Sequence, residues 1–277
     1  MKNRILSALL AVLLVLVMLP ITTVSAGTVE AVDSTPDSVG WTEIKDANGF
    51  KAITTGGNYY LSDDIDFSEG GNPIEVSYIV EKFGFGIIDG RGHTLSGFKL
   101  TANGTENNVG VFGQLGHNNN ATEGITVIRN LKIGSETAKI EANVSGAQTA
   151  FGFIAAQDYV NSDKVGRICI ENVNVYGNCT ITGATKAWAG GFIGVCHDVT
   201  LTNCVFDGEL IVTGDAAATD IHVGGFVGSI PNTAGAETGS LFENCDNKAS
   251  LSATNGAYIG GVIGYLGCKQ NLPQNEW

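Results

Sequence analysis

Apolar and polar residues alternate along much of the second half of the chain, and short glycine boxes interrupt the alternation. Each box joins one or more glycines to large apolar residues. The five boxes are residues 109–113, 151–155, 190–194, 224–228 and 260–264. A repeat of this length is too short for a domain and too long for a hairpin, so it predicts a stack of coils in which each repeat packs only on its neighbours.

A second segment follows four of the boxes, and each copy contains one asparagine in the same context. The residue two positions before the asparagine is large and apolar, and the residue just before it is polar. The four copies are residues 128–131, 170–173, 201–204 and 242–245. This alternation predicts a strand, and the asparagine, which tolerates a left-handed backbone, predicts a corner where its amide bonds to the next asparagine along the stack.

A third alternating segment completes each repeat, at residues 142–146, 179–182, 210–213 and 251–254. Three short strands cannot bury a core alone, but in a coil each strand pairs in parallel with its equivalent one turn on. We therefore predict an all-β chain folded as a parallel β-helix of about five coils.

The predicted β-helix occupies residues 108–277, and its last coil is incomplete because no asparagine segment follows residue 264. Residues 41–107 are predicted to form an N-terminal cap and opening coil, preceded by a linker at 27–40. Apolar residues at helical intervals between Trp41 and Ile53 predict a short helical cap, and residues 58–66 alternate like a strand.

The boxes Gly-Gly-Phe-Ile-Gly at 190–194 and Gly-Gly-Phe-Val-Gly at 224–228, with the Asn-Cys pairs at 203–204 and 244–245, resemble the GLUG-type repeats of bacterial cell-surface and adhesin-like proteins. The resemblance covers residues 83–268. It implies a right-handed parallel β-helix, similar to the pectin-lyase-like superfold. It is specific for fold and much less so for function.

The N-terminus has the pattern of a cleavable signal peptide over residues 1–26. A basic start with Lys2 and Arg4 precedes an apolar run at 5–19 and a small-residue exit at Val24-Ser25-Ala26. A retained membrane anchor is the alternative, although the run is short for a full span. The pattern predicts a secreted, extracellular protein with no transmembrane span after signal removal, associated with the cell surface if it is part of a longer protein.

The formal charge of −13 becomes −15 once residues 1–26, which carry two positive charges and no negative one, are removed. Such a surface repels nucleic acid, and that class of partner is excluded.

Six cysteines, at positions 169, 179, 196, 204, 245 and 268, show no metal-ligand spacing. Cys204 and Cys245 fall in one inward column of neighbouring coils. They are predicted to form either a disulfide or a buried thiol stack.

Two polar strings in the N-terminal part suggest chemistry. Residues 89–93, Asp-Gly-Arg-Gly-His, combine three catalytic residue types, but their glycines favour a structural corner. Asp64, Asp66, Ser68 and Glu75 match the first, third, fifth and twelfth ligands of a calcium loop. The glycine of that loop is displaced by one position, so a cap strand with solvated carboxylates is the alternative.

Polar insertions separate the glycine box from the asparagine segment in three coils, at residues 114–124, 156–166 and 229–239. All of them fall at one corner, so they are predicted to emerge on one side of the coil, where solenoids often bind partners. Tolerated loop growth is the alternative. The candidate binding residues are His117, Asn119, Glu123, Gln157, Asp158, Tyr159, Asn161, Asp163, Asn232 and Glu237.

These patterns predict a non-catalytic module that binds carbohydrate or protein at a surface, with no cofactor other than a possible calcium ion. A β-helix polysaccharide lyase or glycoside hydrolase is one alternative. No acidic pair recurs in register beside the asparagines, so the sequence does not favour it. A structural spacer of a larger surface protein is the other alternative. The incomplete last coil predicts end-to-end association, because an open sheet edge invites pairing.

Overall fold

The computed structural model describes residues 40–116, 124–158, 167–231, 239–254 and 256–267, and the backbone alone at 160–161 and 164–165. These residues form 27 strands and one short helix. The N-terminal elements are β1 (Trp41–Ile44), α1 (Ala47–Lys51), β2 (Asn58–Leu61), β3 (Ile65–Asp66), β4 (Ile74–Val76), β5 (Tyr78–Phe83), β6 (Ile87–Asp89), β7 (Thr94–Ser96) and β8 (Phe98–Ala102).

The repeat region contains the remaining strands. They are β9 (Glu106–Leu115), β10 (Ile125–Ile133), β11 (Ile140–Ser145), β12 (Gln148–Gly152), β13 (Ala155–Asp158), β14 (Val160–Asn161), β15 (Lys164–Val165), β16 (Arg167–Ala184), β17 (Lys186–Gly190), β18 (Ile193–Val195), β19 (Val199–Thr202), β20 (Val205–Gly214), β21 (Asp220–Gly224), β22 (Val227–Ile230), β23 (Leu241–Glu243), β24 (Asp246–Asn247), β25 (Ser250–Ala253), β26 (Tyr258–Gly260) and β27 (Ile263–Leu266).

The strands form two large parallel sheets in a solenoid-like arrangement. One sheet has 15 strands and the other has 10. The smaller sheet contains two rows that share β9: row one is β9, β12, β17, β21 and β26, and row two is β5, β9, β13, β18, β22 and β27. Among the named strands of the described residues, only β14 and β15 pair in antiparallel fashion.

Equivalent residues of successive repeats pair directly, as the sequence predicts. Ile128 pairs with Ile170, Ile170 with Leu201, and Leu201 with Phe242. Ile128, Ile170 and Leu201 are completely buried. Identical columns therefore stack along the molecule, and this stacking forms its core.

The four repeat asparagines all adopt the left-handed backbone conformation, with φ of 52° to 54° at Asn130, Asn172, Asn203 and Asn244. The Asn172 amide donates to Oδ1 of Asn130 at 3.2 Å, and the Asn130 amide donates to Asp89 at 3.0 Å. The predicted asparagine corner is thus confirmed, and Asp89 begins the ladder.

The predicted division into three short strands is wrong for the coil that contains Asn172. There β16 runs for 18 residues from Arg167 to Ala184, so the second and third segments are one bent strand. Asn172 turns the backbone, and pairing to β10 on one side and β19 and β20 on the other continues past the turn.

The last three glycine boxes are in register with one another, and the first two are displaced from them. Gly190 pairs with Gly224, and Gly224 pairs with Gly260. Gly190 also pairs with Gly152, the second residue of its box, and Ile193 pairs with Ala155. The box at 151–155 is therefore displaced by one position, because Phe151-Gly152-Phe153 fits the pattern in either alignment. The box at 109–113 begins with the same displacement, since Val109 pairs with Phe151.

The N-terminal segment also differs from the expected helical element over residues 41–53. Trp41–Ile44 forms strand β1, which pairs with β2, because its aromatic and β-branched residues suit a sheet. The helix is confined to Ala47–Lys51. It begins after Asp46, whose side chain accepts from the Gly49 amide at 2.8 Å, and it buries Phe50. Its role as a cap stays a prediction.

No helix in the described part of the chain is long and apolar enough to cross a membrane. The predicted signal peptide and linker lie outside the described residues.

Gly225 and Gly261 occupy the same position in successive boxes but have different surroundings. A Cβ at Gly225 would overlap the carbonyl oxygen of Gly261 in the next coil, whereas a Cβ at Gly261 would meet nothing within 4 Å. We expect Gly225→Ala to destabilise the protein by about 3 kcal/mol. Gly261→Ala should change stability by less than about 1 kcal/mol. Thermal unfolding of both variants measures the difference, and equal effects would show that the coils are not in this register.

Candidate functional site

The three polar insertions leave the sheet at equivalent positions. Leu115 pairs with Asp158 where the first two insertions begin, and Gln157, Val195 and Ser229 are in register. Of the predicted binding residues, Asn161 is described only in its backbone. Those that lie outside the described residues are His117, Asn119, Glu123, Tyr159, Asp163, Asn232 and Glu237.

Asp158, predicted to bind a partner, is buried and satisfied internally. Its carboxylate accepts from the His197 backbone amide at 2.7 Å and lies 3.0 Å from His197 Nδ1. Only 6% of Asp158 is exposed. It therefore fixes the short connection of the next coil, while its neighbour Gln157 faces outward.

A groove runs beside Gln157, between the two rows of the smaller sheet. Two adjoining cavities of about 610 and 320 Å³ form it, and both are lined by Gln157 and Trp188. One wall comes from row one, where paired positions carry Asn108, Ala150, Trp188, His222 and Tyr258. Paired positions of row two carry Gln114, Gln157, Val195, Ser229 and Tyr265. Each coil thus contributes one residue to each row.

The larger cavity has an aromatic wall. The His222 ring stacks on Tyr265 with centroids 4.4 Å apart and planes 11° apart, and Tyr258 packs edge-on at 5.5 Å from His222. Tyr258 and Tyr265 are 56% and 39% exposed. Trp188 lies one strand further along the same row. The exposed rings of Tyr258 in row one and Tyr265 in row two provide flat platforms for stacking.

The smaller cavity adds amides to the Trp188 ring, which it shares with the larger cavity. Asn108, Gln148 and Gln157 line it, and within the described residues their side chains make no hydrogen bond. Asn107, in contrast, is buried and bonds to the backbone of Gly104 and Ser145. The three free amides therefore provide donors and acceptors for a ligand.

His222 is held as a neutral ring. Its Nε2 lies 2.9 Å from Asp220 Oδ1, while Nδ1 is buried without a partner among the described residues. Burial lowers the pKa of His222, and the Asp220 carboxylate only partly opposes this shift. A neutral ring that donates from Nε2 fits these contacts, because protonation would leave a second buried N–H unpaired.

Two carboxylates, Glu106 and Asp220, line the groove, and no described lysine or arginine does so. They occupy one row with Gln148 and Lys186 between them. The charged side chains that line the groove are therefore both negative.

The calcium candidates do not converge on one point. Asp66 accepts from the amide and hydroxyl of Ser68 at 2.9 and 3.0 Å, and Asp64 accepts from the Thr94 amide at 2.8 Å. Glu75 lies 3.9 Å from Lys99. Among the described residues, no three histidine, cysteine or acidic side chains form a group that could hold a metal. Calcium binding by these four residues stays a prediction.

Residues 89–93 form a corner of the fold. Asp89 is buried and binds Arg129 at 2.9 Å, and Arg91 and Gly92 have positive φ. The Arg91 guanidinium lies 3.9 Å above the Tyr60 ring. These contacts hold the turn in place.

Cys204 and Cys245 directly precede the paired strands β20 and β24 of neighbouring coils, and they are free thiols in hydrogen-bond contact. The Cys204 Sγ is also 3.4 Å from the Thr202 carbonyl oxygen. The hydrogen bond from Cys204 lowers the pKa of Cys245 to about 7, while the same contact and burial raise the pKa of Cys204. The arrangement corresponds to the predicted thiol stack, and disulfide formation stays a prediction.

The sequence contains a signal for the groove, but the residues concerned lie beside the glycine boxes and are not part of their repeated pattern. Trp188, His222 and Tyr258 each lie two residues before the first glycine of a box, and Tyr265 directly follows a box. The residues differ from coil to coil, so no repeated chemistry marks the position. Only the structure shows that these residues face outward on the same side of the coils, and this shared direction identifies them as one set.

No protein family model matches this sequence, and no curated protein matches it. Among solved structures, the chain is similar to the crystal structure of a putative immunoglobulin A1 protease from Bacteroides ovatus. The two chains are 18% identical with a TM-score of 0.40, over 80% of this chain and 83% of the other.

Acidification is expected to destabilise the fold through His222. Because burial lowers its pKa in the folded state, the unfolded chain binds the proton first, and stability falls as the pH drops below about 6.5. We expect the loss of melting temperature between about pH 7.5 and 5.5 to be smaller in His222→Gln than in the wild type. Equal losses in the two proteins would contradict a depressed pKa.

Cys245 is expected to be the most reactive of the described thiols. Its alkylation by iodoacetamide should rise with a midpoint near the pKa of about 7, and Cys204→Ala should move that midpoint upward by removing the hydrogen bond. Peptide mass spectrometry across pH follows each site. Cys179, whose pKa is raised by complete burial, is the control and should stay unmodified. An unchanged midpoint in Cys204→Ala would refute the contact.

Proposed function

We propose that this protein is a non-catalytic, secreted or cell-surface module that binds carbohydrate in the groove between the two rows. The observation that carries the proposal is the composition of the groove. The half-buried ring of Trp188 and the exposed rings of Tyr258 and Tyr265 adjoin the free amides of Gln157 and Asn108. Aromatic faces stack on the apolar faces of sugar rings, and amides bond to hydroxyl groups.

A protein partner was also predicted, but the groove favours carbohydrate. Protein interfaces are built around a desolvated apolar centre with a polar rim. Here the polar amides line the smaller cavity, and the rings line the larger one. A carbohydrate suits both cavities at once, because its hydroxyl groups bond to the amides and its ring faces stack on the aromatic side chains.

The positions of the acidic residues support binding without hydrolysis. Glu106 and Asp220 belong to β9 and β21, three strand spacings apart, or about 14 Å. Paired catalytic carboxylates of glycosidases lie roughly 5 to 9.5 Å apart. A lyase or hydrolase is accordingly the weaker alternative, and a pure spacer leaves the free amides and exposed rings without a role.

For the architecture, we propose a right-handed parallel β-helix of the GLUG-repeat type. The constant parallel register and the left-handed asparagine ladder support a coil, and the Gly-Gly-Phe boxes supply the resemblance. The signal-peptide pattern of residues 1–26 supports export to the cell surface.

End-to-end association through the last coil is part of the same proposal. Leu241, Ile259 and Leu266 are about half exposed, and β26 and β27 each pair with a strand on one side only in the described residues. Unpaired edges with apolar side chains favour association.

Replacing the central ring tests the binding function. We expect Trp188→Ala to weaken binding to a neutral glycan about tenfold, because a stacking platform is lost. Trp41→Ala, which removes a half-buried tryptophan from β1 outside the groove, is the matched control and should bind as the wild type does. Calorimetric titration of residues 27–277 with glycans identified on an array gives the affinities.

Two results would overturn the proposal. Equal weakening by both tryptophan variants would place binding elsewhere, and release of unsaturated or reducing sugar ends during incubation would establish an enzyme.

A further inference from the structure

We propose, resting on the function above, that the groove holds one extended, uncharged glycan of at least four sugar units, laid along the stacking direction of the coils. Trp188 and the Tyr258–Tyr265 pair form two separate stacking subsites for the same chain. The ligand class is therefore a neutral linear polysaccharide, and short or anionic sugars are poor ligands.

The direction of the chain follows from the way the groove is built. One column of the lining, Asn108, Ala150, Trp188, His222 and Tyr258, comes from five consecutive strands, β9, β12, β17, β21 and β26, with one residue from each coil. The shared residues Gln157 and Trp188 make the two cavities continuous. Four strand spacings measure about 19 Å, so the site is a track across the strands, about four pyranose units long.

The spacing of the rings defines two subsites. Trp188 on β17 and Tyr258 on β26 are two strand spacings apart, or about 10 Å. That distance is comparable to two pyranose units in an extended chain. His222 lies between them but is covered by Tyr265, so it supports that ring and does not itself present a face.

The charges of the groove select against anionic sugars. Glu106 and Asp220 line its two halves, and no described cationic side chain lines either of them. Asp220 lies 2.9 Å from the His222 ring, and its paired residue on the adjoining strand, Lys186, does not line either cavity. Since the whole chain is also strongly acidic, uronic-acid polymers meet repulsion at close range and at a distance.

The free amides select for hydroxyl groups in the other half. Asn108, Gln148 and Gln157 each offer both a donor and an acceptor, without a competing internal bond among the described residues. Sugar hydroxyls are likewise donors and acceptors at once. An uncharged glycan can therefore hydrogen-bond to the amides of the smaller cavity while its sugar rings stack on the aromatic rings of the larger cavity.

Affinity as a function of chain length tests the proposal. Cello-oligosaccharides and manno-oligosaccharides of two to six units are titrated into residues 27–277 by calorimetry. We expect the tetramer to bind at least tenfold more tightly than the dimer of the same series, with little further gain beyond it. Oligogalacturonide tetramers are the anionic comparison and should bind at least tenfold more weakly than the neutral tetramer.

Two variants separate the subsites. Trp188→Ala and Tyr258→Ala should each reduce tetramer affinity about tenfold and largely remove the difference between tetramer and dimer. Trp188→Phe, which keeps a ring, should restore most of the affinity and guards against a folding defect. Far-ultraviolet circular dichroism checks that each variant retains its strands.

The possible results distinguish a failure of this inference from a failure of the proposed function. Equal affinity for dimer and tetramer, or preferred binding of oligogalacturonides, would overturn this inference and leave a carbohydrate-binding function intact. The absence of binding to every neutral and anionic glycan would overturn the proposed function itself.

Discussion

The close parallel contact between successive coils is the constraint on which the rest of this molecule depends. Backbone must lie directly against backbone at each corner, and only particular residues permit it. Asparagines at φ near 53° turn the larger sheet, and glycines such as Gly225 leave no side chain between one coil and the next. The columns of buried apolar residues can stack only because these corners repeat at the same place in every coil.

The candidate site is a by-product of the same register. Where the two rows of the smaller sheet meet, the glycine boxes bring the strands close, and the outward side chains beside each box form opposite walls. Trp188 and Gln157 lie in neighbouring rows for this reason, although 30 residues of sequence separate them. The walls therefore inherit the regular spacing of the coils, while their chemistry varies from one coil to the next.

Sequence predicted the features that the register makes periodic. The asparagine corners and the stacked column of Ile128, Ile170 and Leu201 repeat with the same residue types, so their structure could be inferred from the pattern. The displaced second box could not, because two alignments fit Phe151-Gly152-Phe153 equally well. Asp158 was assigned to a binding surface because it lies in a polar insertion, and its burial could not be foreseen because its partner, His197, comes from the following coil. The groove was missed because Asn108, Trp188 and Tyr258 share a position but no chemistry.

Each column of the groove walls takes one residue from each coil, and this has a consequence for how the protein can change. A substitution at a position such as 108 or 195 alters a single step of a column and leaves the inward columns untouched. Duplication or loss of one coil would lengthen or shorten the track by one step without disturbing the rest. The chemistry of the groove walls and the length of the groove can therefore evolve independently, on a scaffold whose corners stay fixed.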